Sequence, residues 1–242
     1  MSANYDALLE HDDVEAVYIP LVNSRHKEWT LRALAAGKNV LCEKPLAMNA
    51  TEAEDMASSA RAAGRVLMEA FMYRFHPRVR GFIDGVRQPL YVQASFGFPL
   101  TDRANYRLQR ALGGGALLDV GCYVVSVARW ILGEPDSVVA RARVDGVDMS
   151  VSALLHFPNE ATASLWASFE SAEEQDLTVV SPDATLRLER PFTWRDKQDP
   201  YQLMVESFAD SVLRDKPAAI PVTESIANMR VLDQIRESAK LG

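Results

Sequence analysis

A lysine, a carboxylate and a phenol occupy positions where the predicted secondary structure can bring them together for proton chemistry. Glu43-Lys44-Pro45 directly follows a short apolar segment, residues 40–42, which we predict to be a strand. Pro45 disfavours the α region for Lys44 and holds it extended. A partly desolvated lysine can lose its proton near neutral pH or donate a hydrogen bond to a substrate hydroxyl. Lys44 is the leading catalytic candidate, although a solvated lysine at a strand end explains its position alone equally well.

Asp119 and Tyr123 lie four residues apart in an apolar segment, residues 116–132, that follows three glycines at residues 113–115. Side chains at this spacing share one face of a helix. A carboxylate beside a phenol and a lysine can orient a substrate hydroxyl and relay its proton. The alternative is an aspartate favoured by the helix N-terminus and a tyrosine packed in the core. The glycines predict close backbone approach or a tight entry into the helix, because no strand leads into them as in a phosphate-binding loop.

The first part of the chain alternates strands with helices. The predicted strands are residues 14–19, 40–42 and 65–68, and the predicted helices are residues 26–36 and 49–63. This alternation predicts right-handed βαβ crossovers and a parallel sheet. Ligands bind outside the carboxyl ends of such strands. We expect the polar side chains that follow the three strands to converge there: Asn23 and His26, Glu43 and Lys44, and Glu69, Tyr73 and Arg74.

The second part of the chain is richer in short strands separated by turns. The predicted strands are residues 91–98, 138–144, 150–157, 161–169, 177–180 and 185–189, and the predicted helices are residues 77–86, 116–132, 200–214 and 223–240. Pro158-Asn159-Glu160 predicts a hairpin between two of these strands. We therefore predict two domains, an α/β unit over residues 1–75 and an α+β unit with a mostly antiparallel sheet over residues 76–242.

Composition narrows the class of protein. The net charge is −7, with 48% hydrophobic and 24% charged residues. Nucleic acid and anionic membrane are not expected as partners, because both require clustered Lys and Arg. The apolar runs are expected to fall far short of a membrane span, and no secretory leader is predicted. Cys42 and Cys122 suggest neither a disulfide framework nor a zinc site, and the scattered histidines predict no metal centre, so we expect a soluble cytoplasmic protein.

These motifs together resemble the glucose–fructose oxidoreductase / inositol dehydrogenase (Gfo/Idh/MocA) family of NAD(P)-dependent oxidoreductases. Beyond the strand at residues 14–19, the matching segments are residues 35–46 (AAGKNVLCEKPL), 69–77 (EAFMYRFHP) and 113–123 (GGGALLDVGCY). The resemblance covers nearly the whole chain. It implies a Rossmann parallel sheet, here partial, followed by an α/β domain whose mostly antiparallel open sheet forms homodimers.

The resemblance also implies a reaction, namely hydride transfer between a substrate carbinol and the nicotinamide of NAD or NADP. By motif, Lys44 carries over as the catalytic lysine and Asp119 as the nearby carboxylate. Tyr123 stands where many members have histidine, and it resembles the dihydrodiol dehydrogenase and glucose–fructose oxidoreductase branch, in which lysine and tyrosine act together. Substrates in that branch are sugars and cyclic diols, so we expect a sugar, polyol or diol as the small-molecule partner.

We further predict that the cofactor contacts Asn23, His26, Glu43, Pro45 and Arg74. Members of the family begin with a strand, a glycine-rich loop and further elements before the equivalent of residue 14. About 55–65 residues of the dinucleotide-binding domain are therefore expected to be missing. They include the loop and helix N-terminus that bind the pyrophosphate, so cofactor binding is expected to be weakened. The strand at residues 14–19 is then expected to be an exposed edge.

Two hypotheses follow from this departure. In the first, the chain is an oxidoreductase whose N-terminal part is absent from this sequence, and in that case Lys44, Asp119 and Tyr123 retain their roles. In the second, the chain is a short homologue that acts as a binding or dimerisation module without catalysis. The intact candidate residues favour the first, while cofactor binding by this chain alone is expected to be weak or absent.

Overall fold

A computed structural model describes residues 4–214 and 216–241 of the chain. Within them the α-helices are α1 (Tyr5–Leu9), α2 (His26–Ala35), α3 (Ala50–Ala63), α4 (Pro77–Gly85), α5 (Cys122–Leu132), α6 (Pro200–Leu213) and α7 (Val222–Ser238). The strands are β1 (Ala16–Ile19), β2 (Asn39–Cys42), β3 (Leu67–Glu69), β4 (Tyr91–Gly97), β5 (Ser137–Asp145), β6 (Val147–His156), β7 (Thr162–Ser168), β8 (Glu174–Val180) and β9 (Thr185–Glu189). A π-helical turn, Leu117–Gly121, runs directly into α5.

The first sheet is parallel, in the order β1-β2-β3. Its strands end in register, because Ile19 pairs with Cys42 and Cys42 pairs with Glu69. The polar residues that follow the three strands therefore start from one rim. Among the described residues β1 is an edge strand, and Tyr18 is 46% exposed there. The predicted βαβ arrangement is confirmed.

The second sheet has the order β5-β6-β7-β4-β8-β9. All of its pairings are antiparallel except that of β4 with β7. Buried and partly exposed residues alternate along β6 and β7, so one face of the sheet packs on helices. The mostly antiparallel sheet is confirmed, and the hairpin turns at residues 157–161, where Glu160 has a φ of 63°. The domain boundary between residues 75 and 76 stays a prediction.

One segment, Arg110–Leu132, is apolar enough to cross a membrane by length and composition, with a mean hydropathy of 1.6. The expectation that apolar runs fall far short of a span is therefore wrong for this segment. However, 83% of its most apolar stretch is buried inside the protein. The α5 part packs against β4, β7 and α7. Burial on all sides explains the composition, since a central helix has no solvent-facing side to carry charges.

The three glycines before α5 allow close packing, as predicted. Gly115 has a φ of +121°, and a Cβ built there would lie 2.1 Å from Oδ1 of Asp148. At Gly114 a Cβ would lie 2.4 Å from the main-chain oxygen of Arg107. Oδ2 of Asp148 accepts a hydrogen bond from the Leu117 N–H at 2.6 Å, which satisfies one of the unpaired donors at the start of the π-helical turn. Gly115 is thus required for the cap that begins this segment.

We expect Gly115→Ala to lower the free energy of unfolding by about 2–4 kcal/mol, because a side chain at positive φ is strained and also displaces the Asp148 cap. Gly81→Ala is the control, since it adds a methyl group to α4 with no atom within 4 Å. The control is expected to be neutral or to stabilise by about 0.5–1 kcal/mol. Urea denaturation of both variants measures the difference, and equal stabilities would contradict this account of Gly115.

Candidate active site

Lys44 forms a buried ion pair with Asp119. Nζ of Lys44 donates to Oδ1 of Asp119 at 2.8 Å and to the main-chain oxygen of the same residue at 2.8 Å. The Lys44 side chain is 13% exposed and that of Asp119 is 7% exposed. The lysine leaves the end of β2, whereas the aspartate comes from the segment before α5. The pair therefore joins the parallel sheet to the second sheet and its helices.

The π-helical turn at Leu117–Gly121 explains how one residue offers two oxygens to the same ammonium group. In a π-helix the main-chain bonds run to the fifth residue instead of the fourth, which disturbs the regular pairing of carbonyl groups. Besides Lys44, the Asp119 carbonyl accepts a contact from Sγ of Cys122 at 3.4 Å. The turn thus presents the backbone and the side chain of Asp119 together to Lys44.

Arg107 is a third member of the cluster, and it is not among the residues predicted from the sequence. Its Nε donates to Oδ2 of Asp119 at 2.7 Å. Each oxygen of the Asp119 carboxylate therefore has its own cationic partner. Arg107 lies in a short 3-10 turn, Tyr106–Leu108, within an irregular segment. Neither periodicity nor a motif marks such a position, and only the fold brings it to Asp119.

The charges of this cluster fix its protonation states. Burial alone would lower the pKa of Lys44, but the charge of Asp119 outweighs it and holds that pKa well above its ordinary value. Burial alone would raise the pKa of Asp119, but Lys44 and Arg107 together hold it below its ordinary value. At neutral pH Lys44 is therefore an ammonium ion. A desolvated lysine can either lose its proton near neutral pH or donate a hydrogen bond, and the geometry here favours donation.

Tyr123 presents a fixed phenol to the cluster. The rings of four aromatic residues each lie 5.4–5.6 Å from the Tyr123 ring: Phe71, Tyr73, Phe96 and Phe192. Nζ of Lys44 lies 5.1 Å from the centre of the Tyr123 ring. Burial, against the opposing charge of Lys44, raises the pKa of Tyr123 well above its ordinary value. The ring is held by packing, which makes it a rigid platform for its hydroxyl group.

These side chains line a cleft of about 340 Å³ between the two sheets. The parallel sheet contributes Tyr18, Pro20, Leu21, Asn23 and Glu43 to its wall, and the rest of the chain adds Phe96, Phe98, Tyr106, Val120 and Tyr201. The cleft thus begins at the carboxyl ends of β1 and β2, where open parallel sheets bind ligands. Cavities of this volume accommodate small organic molecules.

Two of the residues predicted to contact the cofactor line this cleft. Nδ2 of Asn23 donates to the main-chain oxygen of Gly113 at 2.8 Å, so Asn23 links the segment after β1 to the three glycines at residues 113–115. The Glu43 carboxylate accepts from the Tyr18 hydroxyl and from the Lys44 N–H. Cofactor contacts of Asn23 and Glu43 stay predictions.

The structure does not bring the other three predicted cofactor residues to the cleft lining. His26 is fully buried, with Nδ1 2.8 Å from the Pro45 carbonyl oxygen and Nε2 2.9 Å from that of Leu21. The Lys44–Pro45 peptide bond is cis. Arg74 lies 4.4 Å from the centre of the Trp130 ring and pairs with Glu224. Sequence spacing placed these residues near strand ends, but their side chains point into the protein.

Glu69 is a buried carboxyl group behind this rim. Its Oε1 accepts the Leu46 N–H at 2.9 Å, and the residue is 1% exposed. Desolvation raises the pKa of Glu69 to about 7, in spite of opposing effects from Ser225, the Leu46 N–H, Arg74 and Arg129. Within residues 4–214 and 216–241 no three His, Cys, Asp or Glu side chains cluster as metal ligands would.

Comparison with protein families gives two adjacent matches. Residues 1–71 match the model described as "Oxidoreductase family, NAD-binding Rossmann fold". Residues 88–187 match the "GFO/IDH/MocA C-terminal domain". The chain belongs to the GFO/IDH/MocA family of oxidoreductases. The resemblance stated from the motifs is thereby confirmed, as is an enzyme of the oxidoreductase class.

Individual relatives agree with this assignment. The chain is 38% identical to D-xylose 1-dehydrogenase (NADP(+)) 2 of Haloferax volcanii, over 99% of this chain and 82% of that protein. It is 32% identical to trans-1,2-dihydrobenzene-1,2-diol dehydrogenase of Xenopus laevis, over 79% of this chain and 60% of that protein. Among solved structures, KijD10, a 3-ketoreductase from Actinomadura kijaniata in complex with NADP and TDP-benzene, superimposes with a TM-score of 0.88 at 32% identity, covering 97% of this chain and 81% of KijD10.

The buried Glu69 predicts a pH-dependent stability. Because its pKa is about 7 in the folded chain against an ordinary 4.5, its favourable contribution is complete below pH 4.5 and is lost as the pH rises through 7. Glu69→Gln should therefore gain stability relative to the unmodified chain between pH 5 and pH 8, by up to about 3 kcal/mol. Urea denaturation across this range measures the gain. Glu237→Gln, on an exposed position of α7, is the control, and parallel curves for all three proteins would refute the prediction.

Proposed function

We propose that this chain transfers hydride between a nicotinamide cofactor, NAD or NADP, and the carbinol carbon of an uncharged sugar, polyol or cyclic diol. The observation that carries the proposal is the meeting of Lys44, Asp119 and Tyr123 at one cleft, where a lysine ammonium and a phenol face the same space. Family membership supports the reaction class. Lys44, Asp119 and Tyr123 are accordingly proposed as the residues that carry catalysis.

The residues at the rim fit a nicotinamide ring. Pro20 and Leu21 offer an apolar wall at the end of β1, and Asn23 and Glu43 add polar groups beside Lys44. These four side chains are proposed to hold the ring against the cleft. When it is bound, the cofactor supplies or accepts the hydride. All other requirements of the reaction, namely orientation, charge stabilisation and proton transfer, fall to the chain itself.

The Lys44 ammonium is proposed to bind the reacting oxygen of the substrate. As the carbinol is oxidised or the carbonyl reduced, negative charge develops on that oxygen, and a fixed cation in a site of low polarity stabilises it. Asp119 keeps the ammonium group in place and charged, and Arg107 holds the second oxygen of the Asp119 carboxylate. Asp119 is thus proposed to orient Lys44 and not to accept the proton itself.

Tyr123 is proposed to hold and move the proton at the substrate oxygen. With a pKa well above its ordinary value it is a neutral phenol at neutral pH, ready to donate. Carbonyl reduction uses this form directly. Carbinol oxidation needs the phenolate, which the neighbouring Lys44 charge makes more accessible. Oxidation is therefore expected to quicken as the pH rises, and reduction to slow.

The charges of the cleft support an uncharged substrate. The two cations that line the cleft, Lys44 and Arg107, both pair with Asp119, and Glu43 adds a second carboxylate to the lining, so the positive and negative charges are equal in number. A phosphate or carboxylate group would find no free cation among these lining residues. Aromatic walls from Phe96, Phe98 and other rings suit the apolar faces of a sugar or cyclic diol. The D-xylose and dihydrodiol dehydrogenases among the relatives support the same class.

We also propose that these 242 residues bind the cofactor weakly by themselves. The sequence contains no G-x-G-x-x-G motif, and such a motif brings backbone N–H groups and a helix N-terminus to the pyrophosphate. Cofactor assays with this chain should therefore extend to millimolar NADH and NADPH. A homodimer formed through the second sheet and a cytoplasmic location remain proposals on the same footing.

Tyr123→Phe tests the proton donor with little change in packing. It should lower kcat by about 10²–10⁴-fold and leave KM within about threefold, since the variant loses proton transfer but keeps the ring. The control is Tyr73→Phe, which alters a neighbouring ring whose hydroxyl bonds Ser126 at 2.8 Å. The control should stay within about twofold of the unmodified chain, because that hydroxyl takes no part in the reaction.

The assay follows NADPH or NADH absorbance with D-xylose, other aldoses and a trans-dihydrodiol, at millimolar cofactor. Turnover that falls in Tyr123→Phe and not in Tyr73→Phe supports the proposal. Equal loss in both variants would assign Tyr123 a packing role only. Absence of turnover with every substrate and both cofactors would contradict catalysis by this chain.

A further inference from the structure

One peptide group beside the catalytic lysine is held at both of its polar ends. The carbonyl oxygen of Pro45 lies 2.8 Å from Nδ1 of His26, and the N–H of Leu46 donates to Oε1 of Glu69 at 2.9 Å. These two atoms belong to the single peptide unit that follows Lys44 and Pro45. His26 is 0% exposed and Glu69 is 1% exposed, so water does not compete for either contact.

Both side chains of this clamp are anchored to the rim of the parallel sheet. Glu69 is the last residue of β3 and pairs in register with Cys42 at the end of β2. The second ring nitrogen of His26 lies 2.9 Å from the Leu21 carbonyl oxygen, just beyond β1. Glu69 therefore ties the Pro45–Leu46 peptide to the end of β3 beside β2, and the buried His26 ring lies between the carbonyl oxygens of Pro45 and Leu21. Lys44 precedes this peptide by one residue.

Stability alone does not explain a carboxyl group at position 69. Its Oε2 is buried and has no hydrogen-bond partner among the described residues, and Oγ of Ser225 is in the same condition. The Leu46 N–H and the positive charges of Arg74 and Arg129 offset only part of the desolvation of this carboxyl group. A buried polar atom without a partner is costly, and apolar side chains of similar size avoid that cost. The hydrogen bond from the Leu46 N–H is the interaction that accounts for a carboxyl group at position 69.

We propose that Glu69 is a positioning residue for Lys44, which acts by fixing the Pro45–Leu46 peptide together with His26. The ammonium group of Lys44 must meet two oxygens of Asp119 and, on the function proposed above, the reacting oxygen of the substrate. A displacement of this peptide would move the Cα of Lys44, and with it the ammonium group, relative to all three oxygens. Misplacement by about 1 Å is enough to slow catalysis about 10²-fold.

Two substitutions at position 69 separate positioning from general stability. Glu69→Gln keeps an oxygen that can accept the Leu46 N–H, and kcat should stay within about threefold of the unmodified chain. Glu69→Ala removes the acceptor, and kcat should fall about tenfold to hundredfold with KM within about threefold. Leu155→Ala is the control for a general loss of stability. Leu155 is a fully buried residue of β6 that does not line the cleft. This control should leave kcat unchanged at a temperature where all variants are folded.

A second measurement does not depend on turnover. Nuclear magnetic resonance of the ¹⁵N-labelled full chain follows the Leu46 amide and the Lys44 ammonium signals. In Glu69→Ala the Leu46 amide should exchange with solvent at least about tenfold faster than in Leu155→Ala, and the Lys44 signal should shift. In Glu69→Gln both should resemble the unmodified chain.

The outcomes distinguish this inference from the proposed function. If the unmodified chain turns over no substrate, the proposed function fails, while the magnetic resonance data still decide the role of Glu69. An unchanged Lys44 signal in Glu69→Ala would overturn the inference, as would a kcat no lower than that of Leu155→Ala. Rescue by Glu69→Gln together with loss in Glu69→Ala would establish it.

Discussion

The buried carboxylate of Asp119 is the constraint on which the rest of the cleft depends. Its two oxygens separately bind Lys44 and Arg107, and the side chains of Asp119 and Lys44 are only 7% and 13% exposed. Burying ions is costly, and only excellent geometry with further hydrogen bonds offsets that cost. A loosely placed partner would leave an uncompensated charge. Lys44 precedes Asp119 by 75 residues and follows a strand of the first sheet, and hence this local requirement fixes how the two sheets meet.

Several features of the second unit are explained by the need to place Asp119. The π-helical turn exposes its carbonyl to Lys44, and Asp148 caps the start of that turn beside Gly115. At the far end, Nδ2 of Asn228 in α7 donates to the main-chain oxygen of Cys122 at 3.2 Å, which supports the junction between the turn and α5. The segment is also apolar and long enough to cross a membrane, although it lies mostly inside the protein. A deeply buried helix can present a charged residue only where partners are already in position.

Much of this arrangement could be predicted from the sequence because it rests on local signals. The alternation of strand and helix patterns predicts the βαβ unit, and residue types that commonly end helices lie at both ends of α3: Oδ1 of Asn49 accepts the Glu52 N–H at 2.9 Å, and Gly64 adopts a left-handed conformation. The i, i+4 spacing of Asp119 and Tyr123 was informative even though a π-helical turn intervenes. Parallel strands that end in register then bring Lys44 to the same place.

The parts that could not be predicted depend on side-chain direction and on irregular backbone. Arg107 lies in a loop, and no period relates it to Asp119 twelve residues later. His26 follows a strand end, as cleft residues do, yet its ring turns inward to two carbonyl groups. Arg74 turns instead toward Trp130 and Glu224. The sequence indicates where the backbone of a residue lies, whereas packing decides in which direction its side chain points.

The same distinction governs the chemistry of the lysine. A lysine at a strand end has no fixed protonation state until its neighbours are known, since burial lowers its pKa and a carboxylate raises it. Here Asp119 decides the matter, and Lys44 remains a cation beside a neutral phenol. A site in this state supplies both positive charge and a proton to an oxygen in the cleft. On the function proposed above, reduction of a carbonyl group would draw on both directly, whereas oxidation of a carbinol would first require Tyr123 to lose its proton.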